Sequence, residues 1–404
     1  MGSIEDYVEF ETGGGSAYIR RDSVENLRRV DSIIFDCDGV LIDVRESYDK
    51  AISKAVSYII NGLTGCSLPE ELIPESVIFA FRRSGGFNDD WDTTYGITMY
   101  LLSHMPKGFR EALKRSIKMV KPGMKPHDRF KIVAGTVRRL LNSGIVNCGE
   151  VEALIDGLEN LAENLDETGI ASVDSNLLEE FRGVDGFQEF YRSLKAFFSY
   201  PGYVGESIIP TVFEEIFYGD RLYREVHGVE ARFVNSPGLI MNERVIVRRE
   251  TLEALESMVG EGRLGIASGS QRKPADYILG DILKRFNKDA LIFYDDIMRA
   301  EREALRRGQP VGSLKKPNPY SLLEAAKALE PFDSALYVGD SMGDLLMVEE
   351  ARRLDARYLF AGVYRYISMG SQTLQSFIKF SSDLIVPSIN ELPEVLRALR
   401  GGQL

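Results

Sequence analysis

The sequence has few cysteines for its length: only three among 404 residues. They are Cys37, Cys66 and Cys148, an odd number at wide spacing. Because a disulfide framework or a cysteine zinc site needs paired cysteines at short or regular spacing, we expect neither. Such cysteine usage fits a reducing compartment, and we predict a cytoplasmic protein.

The chain also lacks an excess of positive charge and long apolar runs. Its 49 Lys and Arg are outnumbered by 61 Asp and Glu, which gives a formal net charge of -12. Nucleic-acid binding needs a basic face to neutralise phosphates, so we expect no nucleic-acid partner. No apolar run could span a bilayer, and the first residues, MGSIEDYVEF, carry acids where a signal peptide would carry bases. We therefore expect no membrane association.

The most informative stretch that is present is SIIFDCDGVLID, residues 32–43. Ser32 to Phe35 has the β-branched and aromatic residues of a buried strand, which places Asp36 and Asp38 at the carboxyl end of that strand. Ligands bind beyond such strand ends in open α/β sheets. Two carboxylates this close repel each other unless a cation or a shared proton compensates. The alternative is a plain turn at Asp38 and Gly39, with Asp36 as a helix cap.

The sequence shows two patterns of secondary structure, one after the other along the chain. Residues 48–245 are almost entirely of helical spacing, whereas short apolar runs alternate with helical stretches from Arg249 onward. The second pattern is typical of a doubly wound parallel sheet with helices on both faces. We therefore predict an α/β core from residues 1–47 and 246–404, with a large helical cap formed by residues 48–245. Residues 13–15, a run of three glycines, are interpreted as a turn rather than a phosphate cradle.

Further polar residues follow predicted strands in the second half of the chain. They are Ser268 after LGIA, Lys316 in KKPNP, and Asp340 and Asp344 in VGDSMGD. Together with Asp36 and Asp38, these motifs in this order resemble those of the haloacid dehalogenase (HAD) superfamily of phosphohydrolases. The resemblance is closest to the phosphoglycolate-phosphatase-like branch, whose helical cap follows the first motif.

The resemblance implies a role for each residue. Asp36 is the nucleophile that forms an aspartyl-phosphate, and Asp38 is the general acid and base. Mg²⁺ is held by the Asp36 side chain, the Asp38 main-chain carbonyl and Asp340, with Asp344 either at the ion or at its waters. Ser268, the Gly269 N–H and Lys316 contact the phosphoryl group.

Some of these positions have ordinary structural alternatives. Asp344 is equally suited to a helix amino terminus, and Ser268 to an N-cap. Cys37 is a poor rival nucleophile, because it points away from both aspartates and neighbouring carboxylates raise a thiol pKa. The three histidines lack the spacing of metal ligands, and we assign them no metal.

Residues 82–95, RRSGGFNDDWDTTY, are the most unusual stretch of the cap. They contain the one tryptophan, Trp91, together with Arg82 and Asn88, and we interpret them either as a substrate-specificity loop or as an acidic loop that caps a helix. Residues 297–316 form a second insertion, whose arginines contact the cap or face solvent.

We predict a Mg²⁺-dependent phosphatase that hydrolyses a small phosphorylated metabolite. A phosphomutase uses the same phosphoenzyme and remains open. A haloacid dehalogenase is disfavoured because it would need neither Asp38 nor Asp340, and a non-catalytic binding protein is disfavoured by the clustered carboxylates. Neither the particular substrate nor the oligomeric state follows from the sequence.

Overall fold

The structure is a computed structural model that describes residues 2–87, 89–141, 146–309, 312–367 and 369–402. The chain forms two compact units. One contains the residues up to Arg45 and those from Glu243 onward, and the other is Glu46–Asn242. Within the described residues, no helix is both long and apolar enough to cross a membrane.

The first unit is built on a mostly parallel sheet, which confirms the predicted α/β core. In the part of the chain that the structure describes, eight strands lie in the order β1-β2-β10-β9-β8-β3-β6-β7, and β4 pairs with β5 in a separate antiparallel ribbon. The strands are β1 (Tyr7–Thr12), β2 (Gly15–Arg20), β3 (Val30–Phe35), β4 (Ile42–Asp43), β5 (Arg244–Val245), β6 (Leu264–Ala267), β7 (Leu291–Ile292), β8 (Ser334–Gly339), β9 (Tyr358–Val363) and β10 (Leu384–Val386).

Residues 13–15 lie at the turn between β1 and β2, which form an antiparallel hairpin at one edge of the sheet. The strands from β10 to β7 are parallel to one another. Parallel strands need crossover connections, and the helices of this unit supply them. They are α1 (Val24–Arg28), α12 (Arg249–Val259), α13 (Arg272–Leu279), α14 (Tyr294–Arg306), α15 (Tyr320–Lys327), α16 (Met342–Leu354), α17 (Gly370–Lys379) and α18 (Leu392–Arg400).

Both faces of the sheet are buried, because successive strand side chains alternate between two apolar layers. In β3, Ile33 and Phe35 pack with α12, α13 and α18 on one face. Ile34, between them, packs with α15, α16 and α17 on the other face. This two-sided burial explains why the strand sequences are continuous apolar runs.

The regular elements of the second unit are helices in its described residues, as predicted for the insertion. Its helices are α2 (Tyr48–Thr64), α3 (Glu75–Arg83), α4 (Asp90–His104), α5 (Lys107–Ile117), α6 (Pro126–Leu141), α7 (Cys148–Ala153), α8 (Asp156–Glu163), α9 (Ile170–Glu180), α10 (Phe187–Phe198) and α11 (Ile208–His227).

A disulfide within this unit corrects the expectation that the cysteines are unpaired. Cys66, just beyond the end of α2, is bonded to Cys148 at the start of α7, with a Cα–Cα distance of 5.6 Å. The spacing of the cysteines did not predict this pair, because 82 residues separate the two positions. Cysteine usage therefore no longer supports a reducing compartment, and a cytoplasmic location remains only a prediction.

Candidate active site

Three neighbouring parallel strands carry the candidate site at their carboxyl ends. Strand β3 lies between β8 and β6, with Phe35 in register with Val338 on one side and Ile266 on the other. Asp36, Ser268 and Asp340 follow these three strands. The topology therefore brings together side chains that lie more than 300 residues apart in the sequence.

Asp36 is held in one orientation by hydrogen bonds to both of its carboxylate oxygens. Its Oδ2 lies 2.8 Å from the Lys316 Nζ, and its Oδ1 accepts the Cys37 N–H at 2.8 Å. The side chain is almost completely buried. Burial raises the pKa of Asp36, although the nearby Lys316 ammonium opposes that shift. A buried carboxylate with a cation beside it suits a nucleophile.

Lys316 is the cation that balances this group of acids. Its Nζ contacts Asp36, the Asp344 Oδ1 at 2.6 Å and the Tyr337 hydroxyl at 2.9 Å. Burial opposes the charge, but the Asp344 and Asp36 carboxylates outweigh it and raise the pKa of Lys316. The ammonium is therefore a fixed positive charge. Lys315, in contrast, lies over the Tyr294 ring.

The Asp344 carboxylate is held by hydrogen bonds and an ion pair with the residues around it. Its Oδ2 accepts hydrogen bonds from the N–H groups of Asp340 and Ser341 and from the Ser341 hydroxyl, at 3.1, 3.1 and 2.7 Å. Its Oδ1 contacts Lys316. Burial opposes ionisation, but Lys316 and the Ser341 hydrogen bonds prevail and lower the pKa of Asp344. Both oxygens are thus already used, and this favours a positioning role over direct metal binding.

The Asp340 carboxylate has different surroundings from the Asp344 carboxylate. No hydrogen bond or ion pair reaches its carboxylate from the residues that the structure describes. Burial, followed by the Asp344 and Asp36 carboxylates, raises its pKa well above the ordinary value. Among the described residues, no cation contacts the Asp340 carboxylate to offset its repulsion by the Asp36 and Asp344 carboxylates.

A divalent metal fits this place. Carboxylate oxygens of Asp36, Asp340 and Asp344 all lie within 4.8 Å of one another. Gly39, at a φ of +69°, faces the Asp340 side chain so closely that an added Cβ would lie 2.1 Å from Oδ2. A hard cation with oxygen ligands is the group that such a donor set binds. The cluster is therefore a candidate metal centre.

Asp38 is connected to the Ser268 loop through a residue that the motif comparison missed. The Ser270 hydroxyl donates to Asp38 Oδ2 at 2.7 Å, and the Ser268 hydroxyl lies 3.0 Å from the Ser270 hydroxyl. The Ser270 N–H also donates to the Ser268 hydroxyl at 3.1 Å. A second hydroxyl two residues after Ser268, in the sequence Ser-Gly-Ser, was the signal available.

Cys37 is fully buried between the two aspartates in sequence. Burial, and then the Asp36 and Asp38 carboxylates, raise the pKa of its thiol well above the ordinary value. A thiol in this environment stays protonated and is a poor nucleophile.

The predicted cap residues are engaged within the helical unit. The Arg82 guanidinium contacts Asp49 at 2.7 Å and Asp90 at 2.9 Å. The Trp91 Nε1–H donates to Glu214 Oε1 at 2.9 Å, and Glu214 is itself buried. Asn88 lies outside the described residues. The side chains of Arg82 and Trp91 therefore stabilise the packing of this unit, and a role in substrate binding remains a prediction.

Comparison with known proteins gives structural but not sequence matches. No family model and no curated protein matches the sequence. A protein whose X-ray structure was solved by the Northeast Structural Genomics Consortium is similar at a TM-score of 0.63, with 18% identity over 92% of this chain and 99% of that one. Phosphatase Tt82 from Thermococcus thioreducens is similar at a TM-score of 0.47, with 22% identity and the same coverage of both chains. The first match shows that the two-unit fold is shared with a solved structure.

Proposed function

We propose that this protein is a HAD-type phosphatase that hydrolyses a small phosphate monoester through an aspartyl-phosphate on Asp36. The observation that carries the proposal is the balance of charge at the strand ends. Three clustered carboxylates share one ammonium, Lys316, and the Asp340 carboxylate is left for a metal. The order of the motifs supports the same assignment, since Asp36, Ser268, Lys316 and Asp340 occur as they do in that superfamily.

In the first step, an Asp36 carboxylate oxygen attacks the phosphorus atom of the ester. A bond forms between that oxygen and phosphorus while the bond from phosphorus to the alkoxide breaks. Asp38 gives its proton to the departing alkoxide, so that an alcohol leaves. Ser270 orients Asp38 through the 2.7 Å hydrogen bond to Oδ2.

In the second step, water hydrolyses the aspartyl-phosphate. Asp38, now a carboxylate, takes a proton from the water as its oxygen bonds to phosphorus, and the bond to Asp36 breaks. Inorganic phosphate leaves, and both aspartates return to their starting states. In this proposal Lys316, Ser268 and the Gly269 N–H bind the non-bridging phosphoryl oxygens in both steps.

Magnesium is the metal that this proposal assigns to the cluster. Asp36 and Asp340 would hold it with their side chains and Asp38 with its main-chain carbonyl, while Asp344 would keep Lys316 and the start of α16 in place. When bound, Mg²⁺ supplies positive charge that lets a carboxylate approach a phosphate dianion.

The test is phosphate release from p-nitrophenyl phosphate with Mg²⁺ or with a chelator. We expect turnover that requires the metal and that falls by about 10³-fold or more in Asp36→Asn, because the nucleophile is lost. Asp31→Asn is a matched control, since Asp31 accepts the N–H groups of Asp333 and Ser334 at the opposite end of β3. Full activity in the chelator, or unchanged turnover in Asp36→Asn, would contradict the proposal.

A further inference from the structure

Tyr337 is a buried polar residue at the candidate site that belongs to none of the four motifs. It lies in the middle of β8, three residues before Asp340, and is 1% exposed. Its ring packs in the apolar layer with Leu345 of α16 and Leu322 of α15. By its sequence alone it is an ordinary aromatic residue of a core strand.

The Tyr337 hydroxyl contacts three parts of the site. It lies 2.9 Å from the Lys316 Nζ, 2.8 Å from the Ala267 carbonyl oxygen and 3.2 Å from Asp344 Oδ1. The hydroxyl has one proton, and the shorter of its two acceptor contacts is the one to Ala267. When it donates there, its lone pairs remain to accept from the Lys316 ammonium.

Three oxygens of the described residues thus contact the Lys316 ammonium, which has three N–H groups. They belong to Asp36 Oδ2, Asp344 Oδ1 and the Tyr337 hydroxyl. Two carboxylates alone would let the ammonium rotate about the line between them or move toward one of them. The third contact fixes its direction, and the Ala267 bond ties that direction to β6, which ends at Ala267, directly before Ser268.

We propose that Tyr337 is a positioning residue that acts through Lys316. By accepting one N–H of the ammonium, its hydroxyl holds Nζ at the place where Lys316 orients Asp36 and meets the phosphoryl group. This inference rests on the proposed phosphatase function for its kinetic consequence. Its structural consequence, an ammonium fixed by three contacts, can be measured in the absence of turnover.

The kinetic experiment uses Tyr337→Phe, which keeps the ring and removes only the hydroxyl. We expect kcat for p-nitrophenyl phosphate to fall about 10- to 100-fold, as loss of a hydrogen bond to a charged group predicts, while KM changes little. Tyr7→Phe is the matched control. Tyr7 is a buried tyrosine of the same unit, and its hydroxyl donates to the Ser382 carbonyl at 2.8 Å, four strands away from β8. We expect it to keep wild-type kcat.

A double-mutant cycle with Lys316→Met separates action through the lysine from a general effect on packing. If Tyr337 acts through Lys316, Tyr337→Phe has no further effect on the residual turnover of Lys316→Met. An equal loss in both backgrounds would overturn the inference, because the hydroxyl would then act through Ala267 or the core. Unchanged kcat in Tyr337→Phe would overturn it as well.

The spectroscopic experiment records the ¹⁵N resonances of the lysine ammonium groups. An ammonium with three hydrogen bonds exchanges its protons slowly, so we expect a resonance that Lys316→Met removes and that is broadened or lost in Tyr337→Phe. Tyr7→Phe should retain it. If the resonance is the same in Tyr337→Phe as in the wild type, the inference is wrong. If wild-type protein releases no phosphate, the proposed function fails, and this measurement still decides the positioning claim.

Discussion

Asp340 and Asp344 lie four residues apart near the start of α16, and their surroundings shift the pKa values of the two carboxyl groups in opposite directions. Asp344 accepts hydrogen bonds on both oxygens and has a lowered pKa. Asp340 receives none from the described residues, and burial beside other carboxylates raises its pKa. Two residues of the same type in one motif therefore differ in their contacts: Asp344 is a structural acceptor, and Asp340 is the one that we propose as a metal ligand.

This difference predicts opposite effects of the same substitution. In the metal-free protein, Asp340→Asn should raise the free energy of unfolding by on the order of 1 kcal/mol, since it removes repulsion. Asp344→Asn should lower it by about 3 kcal/mol, because Lys316 and the Ser341 donors lose a charged acceptor. Urea denaturation in a chelator measures both. Stabilisation by Asp344→Asn, or destabilisation by Asp340→Asn, would contradict the assignment.

The same difference gives a pH dependence for the metal-free protein. A raised pKa means that the folded state holds the Asp340 proton more tightly than the unfolded state. This contribution to stability is fully present below the unfolded-state pKa of about 4. It is lost as the pH rises through the folded-state pKa. We expect Asp340→Asn to weaken this decline, and Mg²⁺ to stabilise the wild type more as the pH rises.

Ser270 provides a second test at the scale of one residue. Its hydroxyl is the donor to Asp38 Oδ2, so Ser270→Ala should lower kcat about tenfold by releasing the general acid. Ser23→Ala is a matched control, because the buried Ser23 hydroxyl donates to Asp383 Oδ1 at 2.6 Å, outside the site. Steady-state kinetics of the two variants decide the matter. Equal kcat in Ser270→Ala and wild type would show that Asp38 does not need this bond.

Apolar runs in the sequence predicted β3 and the strands from β6 to β10, together with the polar residues that follow β3, β6 and β8. The short β4 and β5 were not predicted. Continuous apolar runs identified β3 and β8, and their parallel arrangement explains why Asp36 and Asp340 meet. Side-chain partners were harder to predict. Tyr337 has the sequence signature of a core aromatic, and only the folded structure shows that its hydroxyl reaches Lys316, which lies in the connection between α14 and α15.

Contacts between helices were also beyond sequence reasoning. Helical spacing identified the insertion, but no pattern showed that the end of α2 lies against the start of α7. Residues 82–95 were interpreted either as a specificity loop or as an acidic loop that caps a helix, and Asp89 does cap α4. The pairing of Arg82 with Asp49 and Asp90 was not predicted. Both cases depend on which helices pack together, and helical periodicity alone does not report that.

The Cys66–Cys148 disulfide should stabilise the helical unit. Closing a loop of this length restricts the unfolded chain, so a Cys66→Ser, Cys148→Ser double variant should lose about 2–4 kcal/mol of unfolding free energy. Thermal unfolding with and without a reductant tests this. The reductant should lower the melting temperature of the wild type and leave that of the double variant unchanged. An unchanged melting temperature of the wild type under reduction would contradict the claim.

The whole molecule consists of two units of different construction, an α/β unit and a helical unit. The α/β unit contains the carboxylate cluster and the two serines, which follow three adjacent strands, and Lys316, which lies in the connection between α14 and α15. The helical unit contributes buried polar pairs of its own, such as Trp91 with Glu214. The chemistry that we propose therefore belongs to the α/β unit, and the choice of phosphate ester is a separate question for a panel of phosphorylated metabolites.

The proposed mechanism requires that Asp36 becomes phosphorylated during turnover. The most direct measurement is an acid quench during hydrolysis of a ³²P-labelled phosphate ester, followed by peptide mapping. We expect the label on the peptide that contains Asp36, released by hydroxylamine as an acyl phosphate, absent from Asp36→Asn and increased in Asp38→Asn, which cannot activate water. Label on another residue, or turnover with no labelled protein in Asp38→Asn, would contradict the account.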